Sequence, residues 1–486
     1  MSLAGRPQVT RPAALVLLSV GLTTGCVRPA PYTAPSAPIA STFKEDPQWK
    51  AAEPRDEAIR GDWWELFGDP ELSRLEPQID VSNQNLKGAE ARFDGARAAL
   101  RVTRSSLYPQ ITATPSVAVV QPSGARAVGS SFHDVYGDIV LPGQISYEVD
   151  AWGRIRGEVN ASTALAQASS ADLETARLSL HAELAVDYFA LQAVDREKQL
   201  LDAAVQSYEQ ALQLTNNRFQ GGIASAADVA LAETQLETTR AQAVDITIQR
   251  AELEHAIAAL VGEPASTFSI ALSPITALPP EVPAQVPSIL LERRPDVAAA
   301  ERRVAAASAE VGVTKAAWYP IVTLSGAVGF AASSFGRLLT STATLWSVGP
   351  ATALVTVFDA GRRHAATAQA QAAYDEAIAS YQETVLAAFR EVEDQLAALT
   401  ILAGESEIQD RATAASERSL TQATNRYRGG LASYLEVTVA QAVALANQRA
   451  GVDIQMRRIS ASVLLLKAAG GGWDPATLAQ PMAGGK

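Results

Sequence analysis

An internal duplication constrains this chain more than any other feature of its sequence. Residues 217–225 (NRFQGGIAS) recur as residues 425–433 (NRYRGGLAS), an offset of 208. Farther upstream, residues 86–109 return as residues 297–320, an offset of 211, and both segments end in Tyr-Pro. A repeat of this length indicates one supersecondary unit built twice. We therefore expect two structural repeats in the chain.

The spacing of prolines sets the boundary between the copies. Residues 264–295 hold seven prolines, which exclude a continuous helix and indicate a hinge. The first repeat is then residues 42–263 and the second is residues 296–472, followed by a C-terminal tail over residues 473–486.

The N-terminus has the pattern of an export signal. Residues 1–25 contain two arginines, no acidic residue and a short apolar run, which is typical of a signal peptide. Cys26 follows directly, as in a bacterial lipobox, and we expect it to carry N-acyl and diacylglycerol lipid. Residues 26–41 form a Pro-rich tether. A plain signal peptide with an incidental cysteine is the alternative.

The residue pattern of each copy predicts a helix, two strands and a long helical hairpin. The first helices are expected over residues 85–107 and 296–318, ending before Tyr-Pro. The hairpins are expected over residues 152–262 and 360–470, and they turn at paired glycines. The first hairpin has an apolar coiled-coil seam, whereas the second carries polar residues at the same phase: Gln395, Ser406, Gln409, Thr413 and Ser416.

Four amphipathic strands are expected, and they have the length that crosses a bilayer when tilted: residues 110–121, 136–149, 320–331 and 347–358. Four strands cannot close a membrane barrel, so a membrane role requires one barrel shared among copies of the chain. The residues alone leave two and three subunits open. A soluble four-stranded sheet is the alternative, because Pro115, Pro142 and Pro350 interrupt three strands.

Composition and motifs argue against several classes of function. The net charge of −12 disfavours a nucleic-acid partner. No stretch of 18 apolar residues occurs, which excludes a multispanning helical membrane protein. The four histidines are scattered and the single cysteine has no partner, so neither a metal site nor a catalytic site is indicated. Phosphate-binding glycine motifs are missing too, and we expect no enzyme activity and no cofactor beyond the lipid.

The order of short motifs along the mature chain resembles the TolC-like outer-membrane efflux channels, in their NodT-type lipoprotein branch. The marks are Cys26, residues 63–67 (WWELF), 293–297 (RRPDV), 358–362 (FDAGR), the two glycine turns and 470–473 (GGGW). The resemblance implies a membrane α+β fold: a homotrimer with a shared 12-stranded outer-membrane β-barrel and a long periplasmic α-helical barrel.

The resemblance also implies a function and its partners. Such a chain is the outer-membrane channel of a tripartite efflux pump in a Gram-negative bacterium, lipid-anchored and extending into the periplasm. A periplasmic adaptor and an inner-membrane pump, of the RND type, would be its partners. The implied docking residues are the two turns and the serines behind them: Gly221, Gly222, Ile223, Ser225, Gly429, Gly430, Leu431 and Ser433. The alternative is that the glycines only turn the chain.

Four further positions match gate and constriction residues of relatives. Tyr427 and Asp228 fall where some relatives have a link that holds the tip closed, and the alternative is an ordinary hairpin contact. Glu436 would form an anionic ring in a trimer, or else be a solvated acid on a helix face. Val439 stands where many relatives carry an aspartate, so an apolar constriction is expected there.

Two other classes of protein remain open on sequence. A periplasmic adaptor also has long hairpins, but it should show β segments around one hairpin rather than a duplication of the whole chain. A structural coiled-coil lipoprotein would lack the four strands. The sequence does not identify the cargo, for which drugs, fatty acids, siderophores and organic solvents are equal candidates.

Overall fold

The computed structural model describes residues 32–36, 44, 62–121, 135–280 and 294–471. The predicted signal peptide, Cys26, most of the tether, the second half of the hinge and the C-terminal tail lie outside the described residues. The chain divides into two compact units. The first contains the described parts of Ala96–Ala166 and Arg303–Ala377, and the second contains those of Pro35–Gly95, Gln167–Arg302 and Ile378–Lys486.

Helices of equal length recur at the offsets of the duplication. After a short 3-10 helix at Trp63–Phe67, the first copy has α1 (Pro70–Ser82) and α2 (Gln84–Ser105), then α3 (Arg154–Gln220) and α4 (Ala226–Leu260). The second copy has α5 (Pro295–Ala316), then α6 (Arg362–Arg428) and α7 (Tyr434–Ala468). Helices α3 and α6 have 67 residues each, and α4 and α7 have 35 residues each. At about 1.5 Å per residue, each 67-residue helix extends for about 100 Å.

The sheet belongs to the first unit and contains five strands: β1 (Gln110–Ala113), β2 (Ser116–Val120), β3 (Tyr136–Val149), β4 (Ile321–Ala332) and β5 (Thr344–Leu354). Strands β3, β4 and β5 pair in this order and antiparallel, and both β1 and β2 pair with β3. Within the described chain, β5 has no second partner strand, and neither has β1 or β2.

Two predicted strands need correction. The strand expected over residues 110–121 is split, because Thr114 and Pro115 leave the ladder and proline has no N–H to donate. The strand expected over residues 347–358 runs from Thr344 to Leu354 instead. Its end is set by β4, since Leu354 pairs with Ile321, the first residue of that strand.

Aromatic side chains fix the end of the sheet within the first unit. The indole Nε1 of Trp152 donates to the carbonyl of Pro320 at 2.9 Å, and the Trp152 ring stacks on Tyr319 with centroids 4.8 Å apart. The side chain of Arg363 lies over the ring of Trp318 at 4.9 Å. The Trp152 contacts join the residues that follow β3 to those that precede β4, and the Arg363 contact joins the start of α6 to the same segment.

The core of the second unit lies where α1 and the 3-10 helix pack against α3. Leu72, Leu75 and Ile79 of α1 are fully buried there, beside Trp63 and Trp64. The carboxylate of Asp69 caps α1 by accepting from the N–H groups of Glu71 and Leu72. It also accepts from the Tyr188 hydroxyl at 2.9 Å. The motif at residues 63–67 is therefore a packing element for the long helix.

Candidate functional site

The two glycine turns join α3 to α4 and α6 to α7, and we call them the first and second tip. In the first tip, the N–H of Gly222 bonds to the carbonyl of Phe219, and the N–H of Ile223 bonds to that of Arg218. The second tip repeats both bonds at Gly430 and Leu431. This pattern is a Schellman motif, which needs a left-handed residue after the helix. Gly222 and Gly430 supply it with φ of 74° and 73°.

Each tip exposes one large apolar side chain. Ile223 is 71% exposed and Leu431 is 75% exposed, and the glycines around them are also on the surface. The predicted docking residues are thus accessible in both copies.

The serines behind the two tips differ in what they do. Ser225 forms a capping box with Asp228: the Ser225 hydroxyl accepts from the N–H of Asp228, and the Asp228 carboxylate accepts from the N–H of Ser225 at 2.9 Å. Ser433 occupies the same position before α7, but its side chain makes no capping bond. The starts of the two returning helices are therefore held differently.

Asp228 and Tyr427 do not bond to each other, and each has a different partner. The hydroxyl of Tyr427 donates to Thr215 Oγ1 at 3.2 Å, while Asp228 binds Ser225. Tyr427 also packs edge-on against Tyr434, with ring centroids 5.3 Å apart. Burial raises the pKa of Tyr434 to about 12, so this phenol stays neutral at physiological pH. The gating role implied for Asp228 and Tyr427 stays a prediction.

Glu436 and Val439 line one groove near the second tip. The groove has a volume of about 520 Å³ and lies between α6 and α7, where Leu435, Val439 and Val443 form an apolar wall. Arg426 lies in the same groove, and its Nη1 is 3.1 Å from Glu436 Oε2. The carboxylate that the sequence suggested for an anionic constriction is thus paired with a cation of its own chain.

Sequence reasoning missed two arginines at the tips. Arg218 Nη1 donates to the carbonyl of Tyr427, and Arg426 contacts Glu436. Both arginines occupy the second position of the duplicated motif at residues 217–225 and 425–433. The duplication was therefore the available signal, although it could not reveal that the two side chains take different partners.

Two kinds of feature are absent from the described residues. No helix in this part of the chain is long and apolar enough to cross a membrane. Across the same ranges, no group of three or more histidine, cysteine, aspartate or glutamate side chains is placed to hold a metal ion.

Comparison with known proteins places the chain among bacterial efflux proteins. The sequence profile of the family "Outer membrane efflux protein" matches twice, at residues 77–263 and 286–471. In Pseudomonas aeruginosa, the outer membrane protein OprJ is 31% identical over 94% of this chain and 95% of its own length. The pyoverdine export outer membrane protein OpmQ of that species is 30% identical over 95% and 97%. The solved structure of the outer-membrane channel OprN superposes with a TM-score of 0.84, at 30% identity, over 91% of this chain and 98% of that one.

Proposed function

The chain belongs to the outer membrane efflux protein family, and from this premise we propose that it forms the outer-membrane channel of a tripartite efflux pump. The duct is passive, and it opens when a periplasmic adaptor docks at the two tips. The observation that carries the proposal is the pair of matching tips, in which each 67-residue helix ends in the same glycine turn with an exposed Ile223 or Leu431.

The assembly we propose is a homotrimer. The four crossings of one chain, one from β1 and β2 together and one each from β3, β4 and β5, are too few to close a barrel, so several chains must share it. The number of three chains, which gives twelve crossings, is what the resemblance to the TolC-like channels implies. The hairpins of three chains then line a tunnel on the periplasmic side. In this proposal an inner-membrane pump supplies the energy, since the sequence has no phosphate-binding glycine motif. The resemblance implies that this pump is of the RND type.

Cys26 anchors the assembly in this proposal. Diacylglycerol on its thiol and an acyl group on the new N-terminus together provide at least two acyl chains, which is sufficient for stable attachment to outer-membrane lipid. Mass spectrometry of the purified protein tests this point, since acylation adds the mass of the chains to a polypeptide that begins at Cys26. An unmodified mature N-terminus would contradict it.

Docking at the tips is tested by photo-crosslinking in the native host. A photoreactive amino acid is placed at Ile223 or Leu431, and for control at Val244, which is 70% exposed in α4. We expect both tip positions to crosslink to a periplasmic adaptor identified by mass spectrometry, and Val244 not to do so. Adaptor capture at Val244 alone, or no adaptor at either tip, would contradict docking at the tips.

The duct itself is tested by its mass and its conductance. The full mature protein in mild detergent should have the mass of a trimer and should give single channels in planar bilayers. A monomer that never conducts would refute the shared barrel.

A further inference from the structure

A fully buried carboxyl group of α1 lies against α3 in the second unit. Glu76 has no exposed surface, and its Oε2 is 2.7 Å from Nδ1 of His181. Its other oxygen, Oε1, is also buried and has no hydrogen-bond partner in the part of the chain that the structure describes. Burying an ionised carboxylate is far more costly than burying a neutral carboxyl group unless every oxygen is paired. The surroundings of Glu76 therefore favour a carboxyl group that keeps its proton.

His181 connects this buried group to the surface. Its imidazole is stacked on the ring of Trp64, which fixes the plane of the ring, and its Nε2 is 3.5 Å from Oδ2 of Asp80. The Asp80 side chain is 42% exposed. When the Glu76 carboxyl group donates its proton to Nδ1, the Nε2–H of the same imidazole faces Asp80. A proton can thus pass between a buried and a surface carboxyl group through one ring.

The charged groups around Glu76 come from three elements and do little to stabilise an ion there. Asp80 lies on the same helix and Asp62 precedes the 3-10 helix, and both are acidic. Arg177 of α3 is engaged elsewhere, since its Nε donates to Asp80 at 2.9 Å and its Nη1 to Glu174 at 2.6 Å. Burial, with smaller contributions from Asp80 and Asp62, raises the pKa of Glu76 to about 7.

The rest of the contact between α1 and α3 is apolar. Leu72, Leu75 and Ile79 of α1 are fully buried, and they share one core with Leu184 of α3 and Ile459 of α7. Burial of these side chains holds α1 in place. The proton on Glu76 decides whether a buried negative charge opposes that burial.

The site lies far from the two tips and occurs in one hairpin only. His181 is about 58 Å along α3 from the end of that helix at Gln220, at about 1.5 Å per residue. Its counterpart in the second copy is Phe389, which packs in an apolar cluster with Val392 and Leu396. A change at this site therefore involves the middle of the first hairpin rather than the glycine turns.

From this geometry we propose that Glu76, His181 and Asp80 form a proton-operated latch that seats α1 on α3. While Glu76 holds its proton, a neutral carboxyl group bonds to the imidazole and the leucines of α1 stay packed. When the proton leaves through His181 and Asp80, the carboxylate is stabilised by reaching water, which loosens α1. The latch is closed in mildly acidic solution and open in alkaline solution, and it operates whether or not the chain conducts.

Hydrogen exchange of the full mature protein in detergent at pH 6 and pH 8 tests the latch. After correction for the intrinsic pH dependence of exchange, we expect the protection of the amides in Pro70–Ser82 to be about tenfold lower at pH 8. This factor follows from a carboxyl group that titrates near pH 7 when seated and near pH 4.5 when free. The amides of α7 should have the same protection at both pH values.

Glu76→Gln and Glu71→Gln are the matched variants, because both replace a carboxyl group of α1 by an amide. Glu76→Gln should abolish the dependence on pH, since the buried group can no longer ionise. Glu71 is on the surface and bonds to Arg74, so Glu71→Gln should keep the tenfold fall. Equal protection of α1 at both pH values in the unaltered protein, or a fall that persists in Glu76→Gln, would overturn the latch.

Two further variants distinguish a latch from ordinary packing and serve if Glu76→Gln does not fold. His181→Phe introduces the residue found at position 389 and removes a group that favours the ionised form of Glu76, so the midpoint of the fall should move to higher pH. Asp80→Asn removes a neighbouring negative charge, so the midpoint should move to lower pH. A purely structural role would lower protection at every pH without moving the midpoint, and that result would also overturn the proposal.

Discussion

The first and second hairpins have the same lengths and the same turns but differently built interiors. Leu201 and Tyr208 of α3 are buried, and Leu201 packs with Ala243 and Ile246 of α4. The positions 208 residues later are Gln409 and Ser416. Gln409 Nε2 donates to the side-chain and main-chain oxygens of Asn447 at 3.0 and 2.9 Å. At these positions the first hairpin is closed by apolar contact and the second by directional bonds.

Because of this difference, the two hairpins can have the same shape and still differ in the stability of this layer. A hydrogen bond contributes about 1 kcal/mol net, because water satisfies the same groups in the open state. A leucine that fills a core contributes roughly 2–5 kcal/mol, which is lost when it is cut back to alanine. At this layer, separating the two helices therefore carries a smaller energetic penalty in the second hairpin than in the first.

The largest expected effect comes from cutting back the apolar seam. Leu201→Ala should lower the free energy of unfolding by roughly 2–5 kcal/mol, because it leaves a cavity among Ala243, Ile246 and Leu445. The counterpart Gln409→Ala should cost only about 1 kcal/mol. Denaturant unfolding of the detergent-solubilised protein measures both. Equal losses would show that the two interiors do not differ in strength.

A titratable pair adds a second difference between the hairpins. His181 of α3 is buried, stacks on Trp64 at 4.7 Å and bonds through Nδ1 to Glu76 Oε2 at 2.7 Å. Its counterpart 208 residues later is Phe389, which packs in an apolar cluster with Val392 and Leu396. Burial raises the pKa of Glu76 from its usual 4.5 to about 7.

The sign of the pH effect follows from this raised pKa. The folded protein holds the Glu76 proton up to about pH 7, whereas the unfolded chain releases it near pH 4.5. The contribution of Glu76 to the free energy of unfolding is therefore largest below pH 4.5 and falls by about 3 kcal/mol as the pH rises to 7. Unfolding at several pH values should show this fall in the unaltered protein and its loss in Glu76→Gln. An unchanged slope in the variant would contradict the assignment.

Converting the polar layer into an apolar one should make the second hairpin resemble the first. The double variant Gln409→Leu/Asn447→Leu removes both partners of the bond, so no amide is left unpaired by the change. We expect it to raise the free energy of unfolding by about 1 kcal/mol, through burial of added apolar surface. Gln409→Leu alone should gain less, because Asn447 loses its donor. A double variant less stable than the single one would count against this account.

The smallest effect is expected at the starts of the returning helices. Ser225→Ala removes a capping box and should cost about 1 kcal/mol. Ser433→Ala removes a side chain that makes no capping bond, so its cost should be close to zero. Thermal unfolding of the two variants side by side checks the difference. A larger loss at Ser433 would mean that the second tip is capped in solution.

Regions with a strong local signal were predictable from the sequence. The first helices were expected over residues 85–107 and 296–318 and lie at Gln84–Ser105 and Pro295–Ala316. Both end two residues before the expected position, ahead of the Tyr-Pro pairs, because a residue before proline is disfavoured in the helical region. The glycine turns were equally predictable, since no other residue adopts a positive φ at so little cost.

Features that depend on distant pairing were not predictable to the same degree. The end of β5 was misplaced by four residues because it depends on where β4 begins, and a strand ends where its neighbour does. The role of Arg218 was missed for a related reason. Its partner Tyr427 lies 209 residues away, and the same motif in the second copy sends its arginine elsewhere.

The sequence by itself determined the repeated unit, the hairpin lengths and the turns, because periodicity, proline and glycine act through the local backbone. It also indicated the apolar seam of the first hairpin and the polar seam of the second. Only the tertiary structure decided which side chains meet: Arg218 with Tyr427, Arg426 with Glu436 and His181 with Glu76. The physical reason is that a side chain's partner is set by the packing of helices that are distant in the sequence. Two nearly identical motifs can therefore place the same residue type against different partners.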